Sequence, residues 1–140
     1  MDTTDIHGMF QPVDLDAVQA LWYKHLTRQF AQLRTFVEAV DASDFQHTFP
    51  DIPTIRAKFV AVAQQVHKVP GAEEAIAKLH LASFGTVEAA YRMNQPGASK
   101  PDPEAKRLLL HSRNCLDEAR WLTSYALSRA ASVTLPDLKE

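Results

Sequence analysis

Hydrophobic side chains recur at three- and four-residue steps along four stretches of the chain, and Pro, Gly or Asp residues separate these stretches. Such spacing places the hydrophobic side chains on one face of an α-helix. The pattern therefore predicts helices over about 14–42, 53–69, 72–95 and 103–132, after an N-terminal arm of residues 1–13.

The first predicted helix carries the longest hydrophobic stripe, formed by Leu15, Val18, Trp22, Leu26, Phe30, Leu33, Val37 and Val40. Asp14 precedes this stripe, so we expect its carboxylate to cap the helix N-terminus. The second stripe alternates four- and three-residue steps, through Ile55, Phe59, Val62, Val66 and Val69. Pro70 and Gly71 follow it, which predicts the end of the second helix there.

The third predicted helix presents Ile76, Leu79, Ser83, Val87, Ala90 and Met93 on one face. Gly85 lies within it, and a helical glycine costs about 1 kcal/mol relative to alanine. We therefore expect close approach of a neighbouring helix at Gly85, with a tolerated defect as the alternative. The fourth helix should start at Asp102 and Pro103, an N-cap and first-turn pair. Its broad hydrophobic face consists of Leu108, Leu109, Cys115, Leu116, Ala119, Leu122, Ala126 and Leu127.

These elements predict an all-α fold, an antiparallel up-and-down four-helix bundle that forms a single domain over residues 1–140. The second predicted helix is shorter than the first and the fourth, so part of a long helix face would stay uncovered in a monomer. Because two-fold dimers are the commonest oligomers, we expect a homodimer.

Composition narrows the class of protein. The chain has 140 residues, 46% of them hydrophobic and 23% charged, which is typical of a globular domain. No apolar run approaches the roughly 18 residues of a membrane span. The net charge of −2 gives no reason to expect nucleic acid as a partner. The single Cys115 and an N-terminus without signal-peptide features predict a cytoplasmic location.

Histidines form the first candidate site, because one lies on each predicted helix: His25, His67, His80 and His111. Metal sites in helical bundles are assembled in this way, but they also use Glu-x-x-His motifs. None of these four histidines has an acidic residue three positions before it. The favoured interpretation is a set of partly buried or surface histidines, and the sequence leaves metal binding undecided.

His111 and Cys115 form the second candidate, because they lie one turn apart on the fourth helix. A nearby imidazolium would lower the pKa of the thiol, so the pair could bind a soft metal or act as a nucleophile. Free cysteine is also among the most buried residue types. Packing of Cys115 between Leu108 and Leu122 is therefore the favoured interpretation.

Two further patterns have both a functional and a structural interpretation. Aromatic side chains could line a ligand pocket between helices, namely Trp22, Tyr23, Tyr91, Trp121 and Tyr125. Core or dimer packing is the favoured alternative. Lys106, Arg113 and Arg120 follow at seven-residue intervals and could form an anionic-partner face. Asp117 stands between the last two, which favours a salt-bridged solvent face.

The sequence contains no Gly-rich phosphate loop, no Cys-x-x-Cys and no His-Glu-x-x-His motif. We therefore expect a non-enzymatic interaction or structural module without a cofactor, which dimerises and offers a surface to a protein partner. We expect neither nucleic acid nor a membrane as partner. The alternative is a ligand- or metal-binding bundle, or an enzyme, that uses the interhelical space around Trp22, His25, His111, Cys115 and Trp121.

Overall fold

The computed structural model describes residues 15–42, 51–95 and 102–138. These ranges contain α1 (Ala17–Ala42), α2 (Ile52–Val66), α3 (Glu73–Met93) and α4 (Pro103–Arg129), followed by one 3-10 turn (Ser132–Thr134). No strand occurs in the described ranges, so the predicted all-α class with four helices is confirmed. The predicted N-terminal arm lies outside the described residues.

The start of α1 differs from the prediction, because the helix begins at Ala17 and not near residue 14. Asp16 Oδ1 accepts a hydrogen bond from Gln19 N at 2.9 Å, and Gln19 Oε1 accepts one from Asp16 N at 3.0 Å. This reciprocal arrangement is a capping box, which satisfies backbone N–H groups that have no partner within the helix. Asp16 therefore caps α1 in place of Asp14, which lies outside the described residues.

Asp residues also begin α2 and α4. Asp51 Oδ1 accepts from Thr54 N at 2.8 Å. Asp102 Oδ1 accepts from the backbone N–H groups of Glu104 and Ala105 at 3.0 and 3.4 Å, and Pro103 is the first residue of α4. The predicted cap of the fourth helix is therefore confirmed.

The second and fourth helices end earlier than their predicted ends at residues 69 and 132. The second ends at Val66, although Val69 beyond it is still buried, and Gly71 then adopts a φ of +82° that favours glycine. The fourth ends at Arg129, because the backbone of Ala130 is extended, with φ −79° and ψ 135°. The predicted bounds thus overestimated the length of both helices at their ends by about one turn.

The four helices share one hydrophobic core. The most extensive contact is between α3 and α4, while α2 packs on α3 and α1 packs on α4. Large side chains line the buried face of α1, namely Trp22, Leu26, Phe30, Leu33, Val37 and Val40.

Val18, which we expected on the same stripe, is 38% exposed. This assignment was wrong because α1 turns Gln19, not Val18, towards α4, where Gln19 Nε2 donates to Ala130 O at 2.8 Å.

The buried face of α3 consists mainly of small residues, and it differs from the predicted stripe. Its buried positions are Ala75, Leu79, Ala82, Gly85, Thr86, Ala89 and Ala90. Ile76, Ser83, Val87 and Met93 are half-buried. A Cβ atom on Gly85 would lie 2.3 Å from Ser112 Oγ and 3.2 Å from Leu108 O. The predicted close approach of another helix at Gly85 is therefore confirmed, and that helix is α4.

The segment that follows α4 covers the beginning of α1. Trp22 Nε1 donates a hydrogen bond to Pro136 O at 2.9 Å, Leu135 is buried and Leu138 packs against the core. The C-terminal segment thus lies against Trp22, near the beginning of α1.

Ion pairs connect the surfaces of α1 and α4. Asp41 accepts from Lys106 Nζ at 2.7 Å and from Arg113 Nη1 at 3.3 Å. Asp117 Oδ1 contacts Arg120 Nη2 at 2.9 Å and Arg34 Nη1 at 3.5 Å. The basic side chains of the fourth helix are therefore salt-bridged as predicted, but the predicted solvent face is wrong, because Arg113 and Arg120 are half-buried.

Candidate functional site

His111 and Cys115 are in contact, with 3.5 Å between His111 Nε2 and Cys115 Sγ. The imidazole is exposed, whereas the thiol is buried. Burial raises the pKa of Cys115, the positive charge of Lys78 opposes this increase, and the negative charge of Glu118 adds to it. A thiol that stays protonated is a poor nucleophile and a poor metal ligand. This geometry favours the packing role of Cys115.

Trp22 and His25 form a second contact, on α1. Their rings meet edge to face, with 5.9 Å between centroids and an interplanar angle of 86°. His25 Nε2–H donates to Gln65 Oε1 at 3.3 Å, while the indole is buried and bonded to Pro136 O. Trp22 Nε1 and His25 Nε2 thus each have a partner within the chain, and the indole fills core volume.

The other two histidines of the helix set, His67 and His80, are not part of the His111–Cys115 pair or of the Trp22–His25 pair. His67 caps the end of α2, and both His67 and His80 are exposed. Among residues 15–42, 51–95 and 102–138, no group of three or more His, Cys, Asp or Glu side chains is placed to hold a metal ion.

Trp121 differs from the other candidates because its ring stands on the outer surface of α4. It stacks on Tyr125, with 5.6 Å between centroids and an interplanar angle of 4°. Trp121 is 55% exposed and Tyr125 is 51% exposed. Stacking favours this orientation of both rings, which lowers the entropy that binding a partner would cost.

Charged side chains flank this aromatic pair along the helix. Arg129 Cζ lies 5.4 Å from the Tyr125 ring centroid, and Arg129 Nη1 donates to Tyr125 Oη at 3.4 Å. Asp117 lies one turn before Trp121 and is also exposed. We call Asp117, Trp121, Tyr125 and Arg129 the α4 ridge, because four-residue steps align side chains along a helix surface.

Sequence reasoning selected Trp121 and Tyr125 but missed Asp117 and Arg129 as members of the same surface. The signal that identifies them is a four-residue repeat of acid, aromatic, aromatic and base, which starts at Asp117. A hydrophobic pattern does not reveal this repeat, because the residues at both of its ends are charged. Leu110, 55% exposed on α4, and Phe84, 66% exposed on α3, are further large hydrophobic side chains at the surface.

No described helix combines the length and the apolar character that a membrane crossing requires. The chain matches no protein-family model, and neither a curated protein nor a solved structure is similar to it.

Proposed function

We propose that this chain is a non-enzymatic protein-interaction module that acts as a homodimer, with the α4 ridge at the interface. The observation that carries this proposal is the exposed stack of Trp121 on Tyr125. Large aromatic side chains are enriched at the centres of protein interfaces, where their burial contributes most of the binding energy. In this protein the two rings are stacked and stand at the surface.

We further propose that the four helices form an antiparallel up-and-down bundle. Contacts between opposite ends of helices that pack together support this topology. Gln19 near the start of α1 bonds to Ala130 after the end of α4, whereas Asp41 near the end of α1 pairs with Lys106 near the start of α4. The Gln65 to His25 contact supports the same relation between α2 and α1.

The pair of α3 and α4 follows the same pattern. Arg92 Nε near the end of α3 lies 3.4 Å from Asp102 Oδ2, immediately before α4. Lys78 Nζ near the start of α3 lies 3.4 Å from Glu118 Oε1 in the second half of α4. An up-and-down bundle with short connections requires these relations. Nuclear Overhauser contacts between the Gln19 side-chain amide and Ala130 would test the α1 and α4 arrangement.

The non-enzymatic part of the proposal draws its support from Cys115. The thiol is buried and its pKa is raised, so it lacks the thiolate character of a catalytic cysteine. The cytoplasmic location stays a prediction from the sequence, and subcellular fractionation would test it.

Size-exclusion chromatography with light scattering tests the dimer directly. The wild-type chain should show a mass that rises towards twice 15.7 kDa as its concentration increases. The Trp121→Ala/Tyr125→Ala variant should remain at the monomer mass, because it lacks both exposed rings.

Phe84→Ala provides the matched control for this experiment. It removes an aromatic ring of similar exposure from α3 and leaves the α4 ridge intact. Its mass should follow that of the wild type. A wild-type chain that stays monomeric at every concentration would overturn the proposed homodimer, and a dimer that survives loss of both rings would place the interface elsewhere.

A further inference from the structure

Two α4 ridges that run in opposite directions are complementary in charge. The ridge runs from Asp117 through Trp121 and Tyr125 to Arg129, so an acid stands at one end and a base at the other. The centre between the two aromatic residues lies six positions from Asp117 and six positions from Arg129. At about 1.5 Å per residue, each charge is about 9 Å from that centre along the helix.

We infer that two copies of the chain pack α4 against α4 in opposite directions, across a two-fold axis between Trp121 and Tyr125. This inference rests on the proposed homodimer and assigns its register. In a two-fold interface, residue i of one copy contacts residue j of the other and the reverse contact is also made. Arg129 of each copy then pairs with the partner's Asp117, and the aromatic rings of both copies meet between the two ion pairs.

Helix packing geometry allows this register. When four-residue ridges of two helices interdigitate, the helices cross at about −50° and the ridges run side by side. Side-by-side ridges bring their ends together as well as their centres. The charged ends of the α4 ridge therefore lie within reach of each other across the axis.

The charged groups keep bonding capacity for a partner. Within the described residues both contacts of Asp117 use Oδ1, to Arg120 and to Arg34, so Oδ2 is available. Arg129 Nη1 bonds to Tyr125 Oη, which leaves the other guanidinium donors for a second acceptor. Its contact with Tyr125 also holds the Arg129 side chain beside the rings.

The area of the rings predicts a weak dimer. Aromatic side chains bury about 150–250 Å² each, and about half of each ring is already covered within one copy. The exposed halves thus supply about 200 Å² per copy, against about 800 Å² in a standard interface. An interface centred on so little apolar area depends on the complementarity of its charges, which selects a second copy in the opposite direction.

Charge reversal on each end of the ridge tests the register. Arg129→Glu places a carboxylate opposite the partner's Asp117, and Asp117→Arg places a guanidinium opposite the partner's Arg129. Each variant alone should dimerise more weakly than the wild type. An equimolar mixture should associate about fivefold or more tightly than either variant alone, because the heterodimer restores both ion pairs. Sedimentation velocity measures the dissociation constants.

Two controls accompany the mixture. Arg107→Glu makes the same charge change elsewhere on α4, at a residue that pairs with Glu104, and should dimerise like the wild type. Circular dichroism confirms that each variant is folded. The wild-type dimer offers a readout without any substitution, because exposed ion pairs weaken as salt screens them. Its dissociation constant should increase with sodium chloride concentration.

The outcomes separate the register from the homodimer. If Trp121→Ala dissociates the dimer but the mixture associates no better than its components, the register is wrong and the homodimer stands. A dissociation constant that is independent of salt would also contradict the charged ends of the interface. If the wild type is monomeric, both the register and the proposed function fail.

Discussion

Helices α1 and α3 both pack against α4, but they hold it in different ways. On one side, α1 contributes a face of large buried side chains, and ion pairs of Asp41 and Asp117 connect the two helices at the surface. On the other side, α3 contributes alanines and Gly85, and its backbone approaches α4 closely. The same helix is thus anchored by side-chain volume on one side and by close backbone approach on the other.

This difference predicts opposite responses to changes in side-chain size. A face of large residues loses stability when a side chain is truncated, because a cavity remains. A face of small residues loses stability when a side chain is enlarged, because the interior is already packed to the density of organic crystals. Substitutions on α1 and α3 can therefore separate the two kinds of packing.

Truncation on α1 should have the largest effect. Phe30 is fully buried, so Phe30→Ala should lower the free energy of unfolding by about 3–5 kcal/mol. Urea denaturation followed by circular dichroism measures the change. Phe84→Ala removes the same side chain from an exposed position and should cost about 0.5 kcal/mol or less. Equal losses in the two variants would contradict the large-residue core of α1.

Enlargement on α3 should have the next largest effect. Gly85→Leu forces side-chain atoms into the space of Ser112 and Leu108, so we expect a loss of about 1–3 kcal/mol. Ala77→Leu, at an exposed position of the same helix, should change stability by about 0.5 kcal/mol or less. Thermal unfolding of both variants measures the difference. A Gly85→Leu variant as stable as Ala77→Leu would show that α3 can move away from α4.

The sequence predicted the face of α1 better than that of α3, and the reason is physical. On α1 the large apolar residues are the buried ones, so their period reveals the core. On α3 the buried residues are mostly alanines, which the pattern of large side chains does not separate from exposed positions. Gly85 was the one sequence signal of close packing, because a helical glycine carries a cost that needs a reason.

The candidate site was only partly predictable. The aromatic residues of the sequence included both Trp121 and Trp22 as site candidates. In the structure Trp121 is exposed and Trp22 is buried. Trp22 is buried because Pro136 and its neighbours fold back over it, and that segment has no periodic pattern to predict its position. The two aromatic residues of the α4 ridge are candidates from the sequence. The four-residue repeat that adds Asp117 and Arg129 gains meaning only when Trp121 and Tyr125 are found exposed and stacked.

A smaller effect should reveal what limits the approach of α3 to α4. Gly85→Ala gains up to about 1 kcal/mol of helix propensity, but its Cβ would lie 2.3 Å from Ser112 Oγ. Ser112 Oγ is buried and has no hydrogen-bond partner among the described residues, so Ser112→Ala should be neutral or slightly stabilising. The double variant should therefore be more stable than the sum of the single changes by about 1 kcal/mol.

A double-mutant cycle from urea denaturation measures this coupling. Leu108 O would still lie 3.2 Å from the new Cβ, so the double variant keeps a residual contact and should not gain the full propensity of alanine. Strict additivity would mean that Ser112 rotates away at no cost, and that its hydroxyl does not set the distance between the helices.

The smallest effect concerns the ion pairs by which α1 holds α4. Burial alone would raise the pKa of Asp41, but its hydrogen bonds and charge interactions with Lys106 and Arg113 outweigh burial and hold the pKa below the ordinary value of 3.8. A lowered pKa in the folded state stabilises the protein above the unfolded pKa, and that contribution is lost as the pH falls through the folded pKa.

Asp41→Asn should therefore lower the free energy of unfolding at pH 7 by about 0.5–1 kcal/mol, a small value because Lys106 is half-exposed. The difference from wild type should shrink as the pH falls from about 4 through the lowered pKa of the folded state, because the carboxylate is protonated first in the unfolded and then in the folded chain. Urea denaturation over this pH range measures it, with the exposed Asp137→Asn as a charge-matched control. A difference that stays constant down to low pH would show that Asp41 stabilises the α1 and α4 contact through packing and not through its charge.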